Sequence, residues 1–411
     1  MLKAIFDPHY WAVVPFHFWS AVMFVLGSIV GSFLNVCIHR LPLNESVVSP
    51  PSHCPHCKYS IPFYLNIPLV TWLYLRGKCK NCGAPISIRY FLVELLTAIT
   101  FFGCWLHFGR QSVALALIYS IFLSGLIVAT ATDFEHIIIP DEITIGGMVA
   151  GFIFSFLVPS LQGKDYSLKD AMASSLLGMA VGAGSIYTLL RVGKLVFGRK
   201  RKNFSTDTRI IFTETDLILP ATEPFFARVW NAITGRAPTN PTILEAIPYG
   251  ELLYRDNDTI QFHATTLELV DRCYKDVPVR VTQDTLEIGE EKINPETVVH
   301  MEVQTSKIVL PQEAMGLGDV KFMGAIGAFL GWKAVIFTVV VSSFIGGFLV
   351  GIPLVLMGKR GLSSKLPYGP YLAAAGALWV FAGPQLVQWY LKLMMTLFQS
   401  APLYHGDGDP L

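Results

Sequence analysis

Two aspartates in apolar surroundings are the residues of this chain with the clearest chemical potential. Asp133 lies where one apolar run ends, and Asp319 lies where another begins. A carboxyl group in or beside a membrane-spanning helix is costly to ionise, so it usually faces a protein interior or a water-filled cavity and has a function. If two such groups meet, repulsion leaves one protonated and one charged, which supplies a general acid and a general base together. Such a pair could activate water against a peptide carbonyl without a metal.

Small and charged residues accompany the two aspartates. Gly316 and Gly318 remove side chains just before Asp319, so that a substrate backbone could come close. Further candidates for positioning a substrate are Glu135, Asp141, Glu142 and Lys321. Helix capping or solvation at the membrane surface is the simpler interpretation of these acids. A buried acid pair could also carry protons or cations in a transporter, and a scaffold protein would need neither acid.

Two cysteine pairs form the second candidate site. They are Cys54 with Cys57 and Cys79 with Cys82, each separated by two residues, in a loop rich in Lys and Arg. Two tight turns that each present two thiolates can complete a tetrahedron around Zn²⁺, and four protein ligands make the site structural. His53 and His56 are spare ligands only. A redox pair or free thiols remain the alternative.

The elements that must position these residues are apolar helices. Hydrophobic residues make up 52% of the 411-residue chain and charged residues only 15%, which predicts a membrane protein. A net charge of +1 gives no indication of a nucleic-acid partner. Apolar runs of roughly 20 residues cross the bilayer. Eight are predicted, near 13–37, 90–108, 112–132, 138–158, 171–192, 317–332, 334–357 and 369–397.

The distribution of Lys and Arg predicts the orientation of these spans. Basic residues crowd the loops after the first, fifth and seventh spans, and short basic loops stay in the cytoplasm. The N-terminus is therefore expected outside. Asp133 closes the third span and Asp319 opens the sixth, so both acids are expected at the cytoplasmic side.

A polar segment interrupts the hydrophobic pattern between about 199 and 312. Short alternating stretches at Val277–Val281 and Val298–Val303 predict a small, mostly β cytoplasmic domain. Phe225–Ile233 is predicted as a short amphipathic helix. No catalytic constellation is evident there, which favours a regulatory or docking module.

Several motifs together resemble the type IV prepilin peptidases, intramembrane aspartyl proteases with a Gly-x-Gly-Asp motif. The resemblance rests on stretches in family order across the apolar portion, including both cysteine pairs. The other stretches are Gly31–Pro42, Asn66–Pro68, Leu75–Cys79, Ile86–Tyr90, Val93–Glu94, Thr132–Asp133, Ile139–Asp141, Gly316–Lys321, Gly327–Trp332 and Leu366–Pro370. The family joins its fifth and sixth spans by a short connection, whereas this chain inserts more than a hundred residues there.

The resemblance implies that Asp133 and Asp319 are the catalytic acids and that the cysteine loop holds a cytoplasmic zinc ion. It implies as substrates the precursors of type IV pilins or type II secretion pseudopilins, whose short basic leader is cut after a Gly before their hydrophobic helix. Glu135, Asp141 or Glu142 could hold leader cations. Many members also methylate the new N-terminus with S-adenosylmethionine, although no glycine-rich dinucleotide-type loop is present here.

The sequence thus predicts an all-α polytopic protein of the bacterial inner membrane, with a zinc loop and an inserted β domain. Its expected partners are prepilin substrates, membrane lipid and, through the insert, pilus or secretion machinery. The predicted divisions are 1–37 (first span), 38–89 (zinc loop), 90–198 (spans two to five), 199–312 (insert), 313–400 (spans six to eight) and 401–411 (tail).

Overall fold

The computed structural model describes most of the chain. The described residues are 15–54, 56–197, 199–220, 244–253, 258–311, 316–348 and 367–400. The helix predicted at Phe225–Ile233 and the tail at 401–411 lie outside these residues.

Helices make up the larger part of the described chain. In chain order they are α1 (Phe16–Arg40), α2 (Val70–Tyr74), α3 (Ile88–Phe108), α4 (Val113–His136), α5 (Asp141–Leu157), α6 (Leu168–Phe197), α7 (Tyr249–Leu252), α8 (Leu317–Gly346) and α9 (Gly369–Ser400). Short 3₁₀ turns lie at Leu41–Leu43, Phe63–Leu65, Pro159–Leu161 and Pro295–Thr297.

Six of these helices are long and apolar enough to cross a membrane, as far as the described residues extend. The candidate spans are Phe16–Leu43, Ile88–Phe108, Val113–His136, Leu168–Gly193, Leu317–Gly346 and Gly369–Thr396. Six such helices fit a multi-pass membrane protein, in which lipid replaces water as the solvent of the outer helix faces. α5 is also apolar but has only 17 residues.

The chain divides into two compact units. The first, here called the helical unit, draws on the described residues of Met1–Ile186, Leu317–Leu356 and Lys365–Leu411. The second, here called the sheet unit, draws on those of Tyr187–Gly316.

Close contacts between small residues hold α8 in the helical unit. A Cβ atom added to Gly178 of α6 would lie 2.1 Å from the carbonyl oxygen of Gly327, so the two backbones touch. Gly182 meets the carbonyl oxygen of Met323 in the same way, at 2.4 Å. In lipid the hydrophobic effect does not drive helices together, so helix association depends on close backbone contacts of this kind. This packing fixes the position of α8, which carries Asp319 in its first turn.

α8 contains a break that divides it into two segments. Gly331 has φ 76° and ψ 173°, a conformation that glycine adopts without a steric penalty. The broken turn frees backbone carbonyls, which other side chains then satisfy. The amide of Gln162 donates to the oxygen of Ala328 at 2.8 Å, and the Ser175 hydroxyl donates to the same oxygen at 2.9 Å.

The sheet unit contains one antiparallel sheet of eight strands. The strands are β1 (Arg199–Thr213), β2 (Asp216–Pro220), β3 (Leu244–Pro248), β4 (Ile260–Leu269), β5 (Cys273–Val281), β6 (Leu286–Ile288), β7 (Glu291–Ile293) and β8 (His300–Pro311). Their order is β3-β2-β1-β8-β4-β5-β6-β7. The small, mostly β module predicted from alternating residues is therefore confirmed.

One face of this sheet carries an apolar core. Fully buried members of the core include Ile210 on β1, Leu267 on β4 and Ile308 on β8. Residues of one face alternate with those of the other along each strand, so the polar residues between them lie on the outer face.

Candidate active site and metal centre

Asp133 lies in the last turn of α4 and is almost fully buried. Its residue is 5% exposed, and its backbone oxygen accepts the N–H of Ile137, which ends the helix in the left-handed conformation with φ 57°. A carboxylate that is buried at a helix end needs a hydrogen-bond partner. That partner is the backbone N–H of Gly369, which donates to Oδ2 of Asp133 at 2.9 Å.

Gly369 opens α9 and lies 236 residues from Asp133 along the chain. A Cβ atom at this position would lie 2.7 Å from Oδ2 of Asp133, closer than side-chain carbons approach oxygen. Only glycine therefore permits this hydrogen bond in its present geometry. Sequence reasoning placed Gly369 within a family-like stretch but gave it no role, since a backbone N–H has no residue signature.

Asp319 lies in the first turn of α8 and is 8% exposed. The positive end of the helix dipole favours a negative charge in that turn. Gly316 is exposed just before the helix. Gly318 faces Ile139, and a Cβ atom added to Gly318 would lie 3.6 Å from Cβ of Ile139, an ordinary contact distance.

Ile139 connects the two aspartate-bearing segments. It is 6% exposed, and its Cδ1 atom lies 3.0 Å from the position that a Cβ atom of Gly369 would occupy. The same side chain borders Gly318, directly before Asp319. Asp133 and Asp319 thus belong to one buried neighbourhood of the helical unit, where α4, α8 and α9 meet at the segment between α4 and α5.

Two ion pairs lie beside the aspartates, each two positions further along the chain. Lys321 donates from Nζ to both carboxylate oxygens of Asp141, at 2.8 and 2.9 Å. Arg89 pairs with Glu135. The structure therefore brings two of the predicted positioning residues, Lys321 and Asp141, together, and it pairs Glu135 with a cation of the chain itself. Glu142 is exposed.

The four predicted cysteines lie together in one cluster. Their sulfur atoms are all within 4.8 Å of one another, and this group could hold a metal ion. The two pairs form near-identical turns 25 residues apart. In each, the residue after the second cysteine has positive φ, 56° at Lys58 and 70° at Gly83, and its N–H returns to the oxygen of the first cysteine at 2.9 Å.

The sulfur spacing matches tetrahedral coordination. Zn–S bonds of about 2.3 Å place neighbouring sulfur atoms about 3.8 Å apart in a tetrahedron. Cys54 and Cys82 are separated by 3.9 Å, and Cys57 and Cys79 by 4.0 Å. These separations are about twice the length of a disulfide bond, so the four side chains fit a metal ion better than two disulfides.

Polar neighbours favour thiolates in this cluster. The side-chain amide of Asn81, followed by the backbone N–H of Tyr59, lowers the pKa of Cys57 to about 6. Backbone N–H groups of Cys82 and Asn81 lower the pKa of Cys79. The N–H of Ala84 favours the thiolate of Cys82, but burial and the three neighbouring sulfurs outweigh it and raise the pKa of Cys82 to about 11. The thiolate form is therefore favoured at Cys57 and Cys79, whereas the neighbouring sulfurs oppose it at Cys82.

The loop that carries the cysteines is tied to the helical unit by a buried carboxylate. Oε2 of Glu94, on α3, accepts the N–H of Leu69 at 2.7 Å. Glu94 is 8% exposed, and Leu69 has an unusual φ of 62° for a non-glycine residue. This bond holds the chain between the two cysteine pairs against the second turn of α3.

Two family models match this chain. The bacterial peptidase A24 N-terminal domain matches residues 25–108, which contain the cysteine cluster. The type IV leader peptidase family matches residues 120–199 and 299–351, which contain Asp133 and Asp319. The second match is interrupted over 200–298, where most of the sheet unit lies.

Curated relatives agree with these matches. A prepilin leader peptidase/N-methyltransferase of Myxococcus xanthus is 43% identical over 44% of this chain and 51% of its own length, so the chain spans about half of that relative. One of the same name from Aeromonas hydrophila is 27% identical over 92% of this chain and 95% of its own length. No solved structure matches the chain significantly.

A further relative fixes the family. The type 4 prepilin-like proteins leader peptide-processing enzyme of Escherichia coli is 36% identical over 42% of this chain and 68% of its own length. Together with the family models over both candidate sites, this similarity shows that the chain belongs to the type IV leader peptidase family.

Proposed function

We propose that this protein is an aspartyl endopeptidase of the bacterial inner membrane that removes the leader of type IV prepilins or type II secretion pseudopilins. The names of its relatives support this activity. The observation that carries the assignment to residues is the environment of Asp133, whose buried carboxylate is held by the N–H of Gly369 within the neighbourhood of Asp319. The transporter alternative has no support from the relatives.

The proposed chemistry uses the two carboxyl groups in opposite protonation states. The charged one takes a proton from water as the water oxygen attacks the scissile carbonyl, and the neutral one protonates the carbonyl oxygen. Collapse of the tetrahedral species breaks the C–N bond, and a carboxyl proton passes to the leaving amine. The Gly369 N–H holds one oxygen of Asp133 in place, which leaves the other oxygen for water or substrate.

The proposed membrane arrangement has eight spans with the N-terminus outside. The break at Gly331 supports two spans within α8, and the apolar α5 supports another beside the five remaining candidate helices. Asp133 and Asp319 then lie at the cytoplasmic side, where a basic leader would remain. The divisions predicted from sequence, with an inserted module at 199–312, are retained in this proposal.

We propose zinc as the occupant of the cysteine cluster, held by Cys54, Cys57, Cys79 and Cys82. The tetrahedral sulfur spacing supports it. With all four ligands supplied by the protein, the ion would have a structural role, joining the two turns of the loop.

The proposal includes a second reaction, because the names of the relatives include an N-methyltransferase. S-adenosylmethionine would supply the methyl group, and the amine released by cleavage would receive it. Among the acids considered for leader recognition, Glu142 fits best, since Glu135 and Asp141 already pair with Arg89 and Lys321.

The test is cleavage of a purified precursor by the full-length protein in nanodiscs, followed by mass measurement. We expect loss of the leader and, with S-adenosylmethionine present, a gain of one methyl group. Asp133→Asn and Asp319→Asn should each reduce cleavage by about 10²- to 10⁴-fold, the usual contribution of acid–base catalysis. Wild-type rates in a folded variant would remove that aspartate from the mechanism.

A further inference from the structure

The outer face of the sheet unit carries a group of cations beside a groove. The groove has a volume of about 400 Å³ and crosses β8, β4, β5 and β6. Its walls combine the cations Lys307 and Arg280, His263 and one acid, Glu287, with apolar residues such as Val309. Such a surface is amphipathic, with positive charge above an apolar floor.

Strand register places a third cation, Arg201, on the same face. Arg201 of β1 pairs with Val309, Val309 with Gln261, and Gln261 with Arg280. Directly opposed residues of an antiparallel sheet share a face, and strands lie about 4.8 Å apart, so Arg201 and Arg280 are about 14 Å apart across the sheet. Lys307 lies two residues before Val309 on the same face.

Within the part of the chain that the structure describes, Arg201 and Lys307 have no carboxylate partner, and Arg280 lies opposite Glu287, which also binds Lys292. Arg201, Arg280 and Lys307 are all exposed. The acids nearby are neutralised or turned to solvent. Glu287 binds Lys292 at 2.9 Å, and Asp276 lies 3.6 Å from His263 with its side chain 90% exposed. The face therefore has a net positive charge.

Short segments of chain join the sheet unit to two candidate spans. β1 begins at Arg199, six residues after the candidate span that ends at Gly193. β8 ends at Pro311, six residues before the candidate span that begins at Leu317. Six residues would reach about 21 Å at most even if fully extended, and α6 continues as far as Phe197 in the first link. The basic run Arg199–Lys202 opens β1 directly after the first of these links.

We propose that the groove binds the headgroups of anionic phospholipids and docks the sheet unit on the bilayer. Clusters of four to eight basic residues next to a spanning helix are typical of surfaces that bind anionic lipid. An apolar floor suits the glycerol and first methylenes of a lipid better than it suits a free anion. A basic leader is disfavoured, since it would meet like charge.

Photo-crosslinking of the full-length protein in nanodiscs tests this proposal. Gln261, in the groove, and Gln304, exposed on β8 outside the groove, are replaced in turn by a photoreactive amino acid, and lipid adducts are measured by mass. In nanodiscs with phosphatidylglycerol we expect at least fivefold more adduct at Gln261 than at Gln304. In pure phosphatidylcholine the difference should disappear.

Charge variants complete the test. Arg201→Gln, Arg280→Gln and Lys307→Gln should each lower the adduct at Gln261 about fivefold. A variant of exposed lysines in the helical unit, Lys164→Gln with Lys169→Gln, should leave it within twofold. Equal yields at both positions, or a yield insensitive to the three groove cations, would overturn the proposal. Loss of the adduct on adding millimolar phosphate at constant ionic strength would identify a soluble phosphate ligand instead.

Discussion

The helical unit and the sheet unit distribute polar side chains in opposite ways. Of the eighteen buried polar or charged side chains among the described residues, all but Asp258 and Thr305 belong to the helical unit. The helical unit exposes large apolar side chains along its helices, whereas the strands of the sheet unit bury theirs.

This contrast separates two sources of stability. The sheet unit is organised as a water-soluble module with an apolar core, and removal of a core side chain costs transfer and cavity energy. The helical unit must satisfy each buried polar group internally, because lipid offers no hydrogen bonds. Burial of acids such as Asp133 and Asp319 is therefore costly, and their neighbours are expected to be sensitive to small changes.

The sharpest test of that sensitivity is Gly369→Ala. The added methyl group would lie 2.7 Å from Oδ2 of Asp133, so the carboxylate must move. A displacement of about 1 Å in an active site can cost roughly 10²-fold in rate. We expect a loss of this size in the cleavage rate, measured with the purified precursor, while the protein remains inserted and folded.

Gly376→Ala is the matched control on the same helix. Its added Cβ would make ordinary contacts of 3.7 Å with Ile326 and Leu126, so we expect cleavage within twofold of wild type. Equal activity in both glycine variants would show that the Gly369 contact does not position the acid.

The cysteine cluster provides a second test within the helical unit. Cys57→Ser together with Cys79→Ser removes one ligand from each turn. We expect the loss of about one zinc ion per chain by elemental analysis, and faster proteolysis between the two cysteine pairs. Cys273→Ser, at an exposed thiol on β5, should keep the metal. A metal content unaffected by the double variant would argue for free thiols.

The sheet core should respond in stability but not in catalysis. Leu267 is fully buried on β4, and Leu267→Ala should destabilise the sheet by about 2–5 kcal/mol. Hydrogen exchange in β4 and β8 would report this change in the full-length protein, and we expect cleavage to stay within twofold. Val270→Ala, at a side chain that is 84% exposed, should leave exchange unchanged. Loss of cleavage in the Leu267 variant would contradict the prediction that catalysis does not depend on the stability of the sheet unit.

The two candidate sites differ in how far sequence could predict them. The geometry of the cysteine pairs can be predicted, because a spacing of two residues places both thiols on one turn. The structure confirms that all four cysteines lie in one cluster. The acids stand out because apolar helices rarely contain them, although their catalytic roles stay a prediction. The Gly369 hydrogen bond could not be found, since it joins a backbone group to a carboxylate 236 residues away.

The fold shows the same limit. Apolar length predicts helices and alternation predicts strands, and both are confirmed in type. A boundary between the sixth and seventh spans was predicted close to Gly331, where the structure has a break inside α8. The cause of that break is long-range: Gln162 and Ser175, more than 150 residues away, satisfy the freed carbonyl of Ala328. Local pattern does not encode such partners, nor the order of the sheet strands.

The smallest effect is expected at the exposed ion pair between Lys321 and Asp141. Their side chains are 39% and 59% exposed, and pairs this accessible to water usually contribute less than about 1 kcal/mol. Lys321→Met should therefore lower the cleavage rate by no more than about fivefold. The difference from wild type should shrink as salt is raised from 0.05 to 0.5 M, because ions screen the pair.

Two variants decide what Lys321 does. Lys321→Arg should restore the wild-type rate if the charge only links α8 to the start of α5, and Lys333→Met, further along α8, should have no effect. A loss of 10²-fold or more in Lys321→Met, unrelieved by salt and not rescued by Arg, would mean that the lysine contacts the reacting groups. The cleavage rate would then be sensitive to substitutions at the exposed surface beside Asp319 as well as at the buried polar groups of the helical unit.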